Sequence, residues 1–183
     1  MRYNVEKIKE IVRKNPNTEI IYFWGHTPNH KKMTKSCFSQ WYDVYFEVDG
    51  IQYHTTEQYM MASKARVFGD NDTLEEIMNA TNPSDYKKLG RKVKGFEPTL
   101  WDEKKLDIVV EGNKAKFGQN PELKEYLLST GDAILVEASP YDNIWGIGMD
   151  RDTAINGKVE DWKGENLLGC ALMEVRDYLR NMK

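Results

Sequence analysis

Three carboxylates stand where regular elements end and aromatic residues gather: Glu57, Glu137 and Asp142. A carboxylate so placed can act as a general acid or base, or can steady positive charge developing in a transition state. An acid at an element end also serves as a helix cap or as a solvated charge, so position alone leaves both readings open. Asp142 is followed by Asn143-Ile144-Trp145-Gly146-Ile147-Gly148. An aromatic face beside two glycines suits a planar ligand, because the ring stacks and glycine lets the backbone come close. Glu57 lies in the stretch from Gln52 to Lys64, which reads as a strand end running directly into a helix. In that helix Glu57, Met61 and Lys64 fall at i, i+4 and i+7 and share one face. Glu57 also occupies the first turn, where the helix dipole favours an ionised carboxylate.

Other chemistries find less support. His26 and His30 are four residues apart, but Pro28 between them rules out a helical HxxxH face, and no third ligand stands at a zinc-like spacing. No metal is expected. His54 precedes the Glu57 helix and reads as structural or as a neighbour to the site. There is no GxSxG, no GxGxxG and no GxxxxGK[ST]. Lys87, Lys88, Arg91, Lys92 and Lys94 form a basic run without an acid among them. It reads either as a solvated helix face or as a phosphate contact.

The elements that must position these groups follow from periodicity. A short amphipathic helix spans Tyr3 to Lys14, and a strand rich in β-branched and aromatic residues spans Glu19 to Trp24. A polar loop from Gly25 to Lys35 and a short apolar link from Phe38 to Trp41 lead to a strand over Tyr42 to Val48. Asp49-Gly50 predicts a hairpin turn, with Ile51 to Tyr53 as the partner strand. Thr55 and Gln58 predict a capping box for a helix ending near Phe68. Helices are predicted over 72–80, from Pro83 to about Val93, from a Thr99 cap through Phe117, and from Pro121 to about Ser129. Ala133 to Glu137 reads as a buried strand, 138–163 as loop and irregular chain, and Asn166 as the cap of a last helix with the stripe Leu168, Leu172, Val175 and Leu179. The expectation is one α+β domain over residues 1–183, compact and mainly helical around a small sheet of about four strands.

Composition agrees with a globular enzyme or binding protein. Among 183 residues 40% are hydrophobic and 30% charged, and the net charge of −3 argues against a general nucleic-acid coat protein. Cys37 and Cys170 sit in no CxxC or zinc spacing. The start of the chain lacks an apolar signal core, and no apolar run nears the ~20 residues needed to span a membrane. A cytoplasmic protein is the default expectation.

Taken together, the segments resemble the YbiA-like N-glycosidases, the NADAR superfamily, over about residues 20–179. The matching pieces, in order, are Phe38-Ser39-Gln40-Trp41, Asp49-Gly50 leading into Glu57-Gln-Tyr-Met-Met-Ala-Ser-Lys64, and Lys88-Leu-Gly-Arg91-Lys92. Then come Trp101, Lys116-Phe117, Leu135-Val-Glu137, Asp142 with Trp145-Gly146, Asn166-Leu-Leu-Gly169 and Leu172-Met-Glu-Val-Arg176. This chain departs from the family pattern with Gln40 in place of a frequent Asn, with His54 in place of a frequent Pro, and with a longer Gly25–Lys35 loop.

The resemblance implies a mainly helical α+β fold and an N-glycosidase that cuts between a (phospho)ribose C1′ and a base nitrogen. The implied substrates are a phosphorylated ribosylamino-pyrimidine of riboflavin synthesis or an ADP-ribose-type conjugate, with no cofactor. It implies Glu57 as the main catalytic carboxylate, Asp142 as the second, and Trp101 as the ring that stacks on the base. Lys64, Glu137, Trp145, Gly146, Gln40, Trp41 and Arg91 follow as substrate-binding positions. Three other readings stay open: a hydrolase that removes ADP-ribose from guanine in DNA or RNA, a non-catalytic ADP-ribose or nucleotide-binding module, and a partner-binding domain with solvated acids. The sequence specifies no oligomeric state.

Overall fold

In a computed structural model residues 2–29 and 31–182 are described, so His30 and its spacing from His26 lie outside the described residues. The chain forms two units, Gln40–Asn120 and the flanking segments Met1–Ser39 with Pro121–Lys183.

In the central unit, Asp49 and Gly50 both take positive φ, 53° and 75°, which is the backbone of a type I′ turn. The turn joins β2 (Phe46–Val48) to β3 (Ile51–Tyr53) in an antiparallel ladder that sets Phe46 against Tyr53. Their buried rings stack 5.8 Å apart on the inner face. β2 is shorter than predicted; ahead of it Val44 donates its N–H to the His54 carbonyl and the Tyr45 ring packs on His54.

Helix α2 (Thr56–Val67) is the hub of this unit and packs on α3 (Asn71–Asn79), α4 (Pro83–Gly90) and α5 (Pro98–Gln119). Surrounded in this way, it buries polar and apolar residues alike, so it shows no amphipathic stripe. The neighbours come close where they have no side chain. A Cβ on Gly90 would lie 1.9 Å from the Met61 sulfur, and one on Gly112 would lie 2.5 Å from the Tyr59 ring. Two caps differ from expectation. Gln58 accepts from His54 N–H, one residue before the Thr55 cap, and α5 is capped by Glu97, whose carboxylate accepts from the Thr99 and Leu100 N–H groups. α5 starts at Pro98, two residues before Leu100, because proline is at home at the first helical position.

In the flanking unit, β1 (Ile20–Phe23) and β4 (Ile134–Glu137) pair in parallel, Phe23 opposite Glu137. The four strands thus form two separate two-stranded sheets rather than one. Helix α8 (Leu167–Asn181) covers β4, and α6 (Pro121–Ser129) packs on α8. The predicted stripe Leu168, Leu172, Val175 and Leu179 is buried throughout. Gly169 allows the contact, since a Cβ there would meet the Leu135 carbonyl at 2.1 Å. Arg176, also buried, donates to the Thr130 hydroxyl and the Ala133 carbonyl, each at 2.8 Å. α1 (Val5–Lys14) completes the unit with one further helix, α7 (Arg151–Asn156), in a stretch read from sequence as irregular. Asp150 caps α7 through the Asp152 and Thr153 N–H groups, but only Ala154 is buried, so the helix has almost no apolar period to betray it.

Cys37 and Cys170 have no exposed surface, and burial pushes the Cys170 thiol up to about 12. The thiolate is the nucleophile. Neither cysteine is therefore expected to react with iodoacetamide at pH 8 in the folded protein. Mass spectrometry should find both modified only after denaturation, and rapid native labelling of either would contradict this packing.

Candidate active site

The turn that carries Glu57 is held at its base by Gln40. The Gln40 carbonyl accepts from Glu57 N–H at 2.9 Å and from the Thr56 hydroxyl at 3.3 Å, while Thr55 caps the helix through Gln58 N–H at 3.0 Å. These bonds satisfy N–H groups that a helix start leaves open. They also fix Glu57 as the second residue of α2, with only 5% of its surface exposed. A carboxylate this far from water is not a solvated surface acid. The Gln40 side chain is equally buried: its amide nitrogen lies 3.6 Å from the Met60 sulfur, and its carbonyl oxygen accepts no hydrogen bond. An orphaned buried acceptor costs about 1–3 kcal/mol.

Two turns along α2, Lys64 donates to the Gly90 carbonyl at 2.8 Å. Its ammonium lies 4.2 Å from the centre of the Phe96 ring and 5.6 Å from that of Trp101. Burial holds its pKa below the usual lysine range. The structure therefore joins Lys64 and Trp101 by contact and adds Phe96, an exposed aromatic that periodicity could not mark because it stands in a turn before α5. Trp101 is half-buried in the first turn of α5. Trp41 is half-buried, and its neighbour Tyr42 has its ring centre 5.5 Å from the ammonium of Lys116, a fully buried lysine of α5. Arg91 is exposed, one residue beyond the Gly90 carbonyl that Lys64 binds. Two other members of the basic run pair with acids: Lys88 with Asp85 at 3.3 Å and Lys94 with Asp72 at 3.1 Å. Lys88 and Lys92 share a cleft with Asp72, Glu75, Glu76 and Asp85. Its excess of negative charge favours the solvated-face reading over a phosphate groove for these lysines.

In the flanking unit Asp142, Trp145 and Gly146 share the loop that follows Glu137, the last residue of β4. One Asp142 oxygen accepts from Ile144 N–H at 2.9 Å and from Trp145 N–H at 2.8 Å, and the Asp142 carbonyl accepts from Gly148 N–H. The Glu137 carbonyl accepts from Ile147 N–H at 2.9 Å, which ties the loop to the end of β4. Gly146 fits because a Cβ there would stand 2.9 Å from the Glu137 carbonyl and 3.0 Å from that of Asp142. Asn166 closes the arrangement. It is fully buried at φ 53° and makes no cap; its side chain accepts from Glu137 N–H and donates to the Leu135 carbonyl, each at 3.0 Å. Its backbone N–H donates to the Gly146 carbonyl at 3.1 Å. Asn before an apolar run predicts a cap from sequence, and only the fold shows the side chain turned to β4 instead. Among the described residues no group of three or more His, Cys, Asp or Glu could hold a metal ion, and no helix is long and apolar enough to cross a membrane.

The arrangement pairs a buried acid at a helix N-terminus with a cation set over aromatic rings, and a second acid with an aromatic in a tightly tied loop. Comparison with known proteins bears on what such groups do. The sequence profile of the NADAR domain matches residues 22–180 and so runs through both units. The chain is 45% identical to N-glycosidase R617 of Acanthamoeba polyphaga mimivirus over 161 residues, 85% of this chain and 95% of that protein. It is 36% identical over 136 residues to the chloroplastic riboflavin biosynthesis protein PYRR of Zea mays, covering 70% of this chain but 20% of that protein. The NMR structure of E. coli YbiA matches with a TM-score of 0.69 at 30% identity, over 89% of this chain and 86% of that one. The α+β, mainly helical fold is thus the YbiA fold, and the chain belongs to the NADAR family of N-glycosidases.

Proposed function

We propose that this N-glycosidase hydrolyses the bond between a ribose or phosphoribose C1′ and a base nitrogen, with Glu57 as its main catalytic carboxylate. The observation that carries the reading is the burial of Glu57 in the first turn of α2. Cleavage at C1′ passes through an oxocarbenium-like sugar. A carboxylate held out of water beside it stabilises that charge or activates the attacking water more strongly than an exposed acid could. Asp142 is the second carboxylate. Its turn engages one oxygen and leaves the other for a sugar hydroxyl or for help to the departing base. Trp101 stacks on the base, and Lys64, packed against the same ring, places positive charge near a phosphate. Glu137, Trp145, Gly146, Gln40, Trp41 and Arg91 complete the substrate contacts in this reading. Because the NADAR profile runs through both units, residues 1–183 are read as one domain.

Two substrate classes fit. The likeness to a riboflavin biosynthesis protein supports a phosphorylated ribosylamino-pyrimidine. An ADP-ribose conjugate, free or on guanine in nucleic acid, needs the same cut with a larger substrate. Incubation with a panel of phosphorylated N-ribosides, ADP-ribose conjugates and ADP-ribosylated DNA, read by mass spectrometry, tests the proposal. Free base should appear from at least one class. Ligand-induced stabilisation without product from any of them would replace the enzyme with a nucleotide-binding module.

A further inference from the structure

Two of the most exposed aromatic residues stand together beside Asp142. Trp24 is 57% exposed and Tyr141 is 88% exposed, and their ring centres lie 6.2 Å apart at an angle of 51°. Exposed apolar surface gathered in one place, rather than scattered singly, is where ligand sites are found. Their place in the fold says what kind of group that is. Trp24 directly follows β1, and Tyr141 follows β4 by four residues; the strands are parallel and in register at Phe23 and Glu137, and Ala138 N–H donates to the Phe23 carbonyl at 2.9 Å. Both rings therefore sit at the carboxyl edge of one parallel pair, with Glu137 at the strand end and Asp142 next to Tyr141 in the chain. Ligands of α/β proteins gather at the carboxyl ends of parallel strands. A cation stands nearby in the chain: Lys35 donates to the carbonyl of Tyr22, two residues before Trp24. Its proton affinity is lowered first by burial and then by the positive charge of Arg151. Through that bond Lys35 places a positive charge near the end of β1.

We propose that Trp24 and Tyr141 form a stacking subsite for a second nucleobase of the substrate, one remote from the scissile bond, with Lys35 drawing its phosphate. The inference rests on the proposed N-glycosidase reading and extends it, since a substrate with one base would leave the rings uncovered. Stacking on aromatic side chains is tolerant of base identity, so the subsite selects for the presence of a base rather than for its type.

The test compares wild type with Trp24→Ala, Tyr141→Ala and the double variant, all at exposed positions. For an ADP-ribose conjugate the double variant should raise KM about tenfold with kcat within about twofold. For a phosphorylated N-riboside with a single base both constants should stay unchanged. Equal effects on both substrates, or none on either, would overturn the subsite. A binding arm keeps this separate from failure of the hydrolase reading. AMP titrated by calorimetry should bind wild type about tenfold more tightly than the double variant even if no substrate is turned over. Equal affinity, or no AMP binding to wild type, would remove the subsite and leave the catalytic assignment standing.

Discussion

Glu57→Gln is expected to lower kcat by about a hundred- to ten-thousand-fold, the range a positioned carboxylate contributes to acid–base catalysis. The substitution keeps the shape and burial of the side chain and removes its charge. Folding should survive it. The Glu57 N–H bond to the Gln40 carbonyl and the Thr55 cap help to hold this turn, and the substitution leaves both in place. A charge near a helix N-terminus contributes about 0.3–1 kcal/mol, so the thermal midpoint should move by a few degrees at most. Asp142→Asn is the companion. Asn can still accept the Ile144 and Trp145 N–H bonds, so the turn persists while the charge is lost. Its expected loss is about a hundredfold in kcat/KM. If the two acids serve one transition state, the double variant should lose less than the product of the single losses. Strictly multiplicative losses would assign them to independent tasks.

Asn166→Ala should cost about 3 kcal/mol of stability and reduce activity as well. The residue is fully buried, and its side chain satisfies the Glu137 N–H and the Leu135 carbonyl. Alanine leaves both groups unpaired, at about 1–3 kcal/mol for a buried polar group. It must also hold φ near 53°, a left-handed conformation that costs a non-glycine residue about 1–2 kcal/mol and that Asn tolerates better than most. Asn166→Gly separates the causes, since glycine removes the backbone strain and keeps the lost hydrogen bonds, and it should recover about 1 kcal/mol. Chemical denaturation checks this through a lower midpoint with an unchanged slope. A loss below about 1 kcal/mol for the alanine variant would show that the Glu137–Gly148 loop is not held through Asn166.

Local signals carried much of this architecture. The Asp49-Gly50 turn, the Thr55 cap and the apolar stripe of α8 are each written within a few residues, and each is where the sequence places it. What the sequence does not reveal is what distance along the chain conceals. Gln40 and α2 are linked by a carbonyl that serves a helix start 16 residues later, a bond with no residue-type signature. The basic run from Lys87 to Lys94 looks unopposed in sequence because its counter-charges stand outside it, Asp85 just before it in α4 and Asp72 in α3. The apolar periodicity that marks strands does not say whether they pair in one sheet or two; β1 finds its partner in β4, more than a hundred residues on, while β2 and β3 pair locally. Of the candidate site, Glu57 with its helix and Asp142 with its glycines were legible from pattern. The catalytic roles of Glu57 and Asp142, like those of Trp101, Lys64 and the remaining positions, came through family resemblance, and the Lys64–Phe96–Trp101 contact appears only in the fold.

The most direct measurement is single-turnover release of free base from a phosphorylated N-riboside and from an ADP-ribose conjugate, followed by mass spectrometry for wild type and Glu57→Gln. Single turnover isolates bond cleavage from product release. Wild type should release free base and the matching ribose product from at least one of them, and Glu57→Gln should release it at least a hundredfold more slowly while melting within a few degrees of wild type. Release by Glu57→Gln at the wild-type rate, with the fold intact, would contradict the assignment of the buried carboxylate of α2 to catalysis.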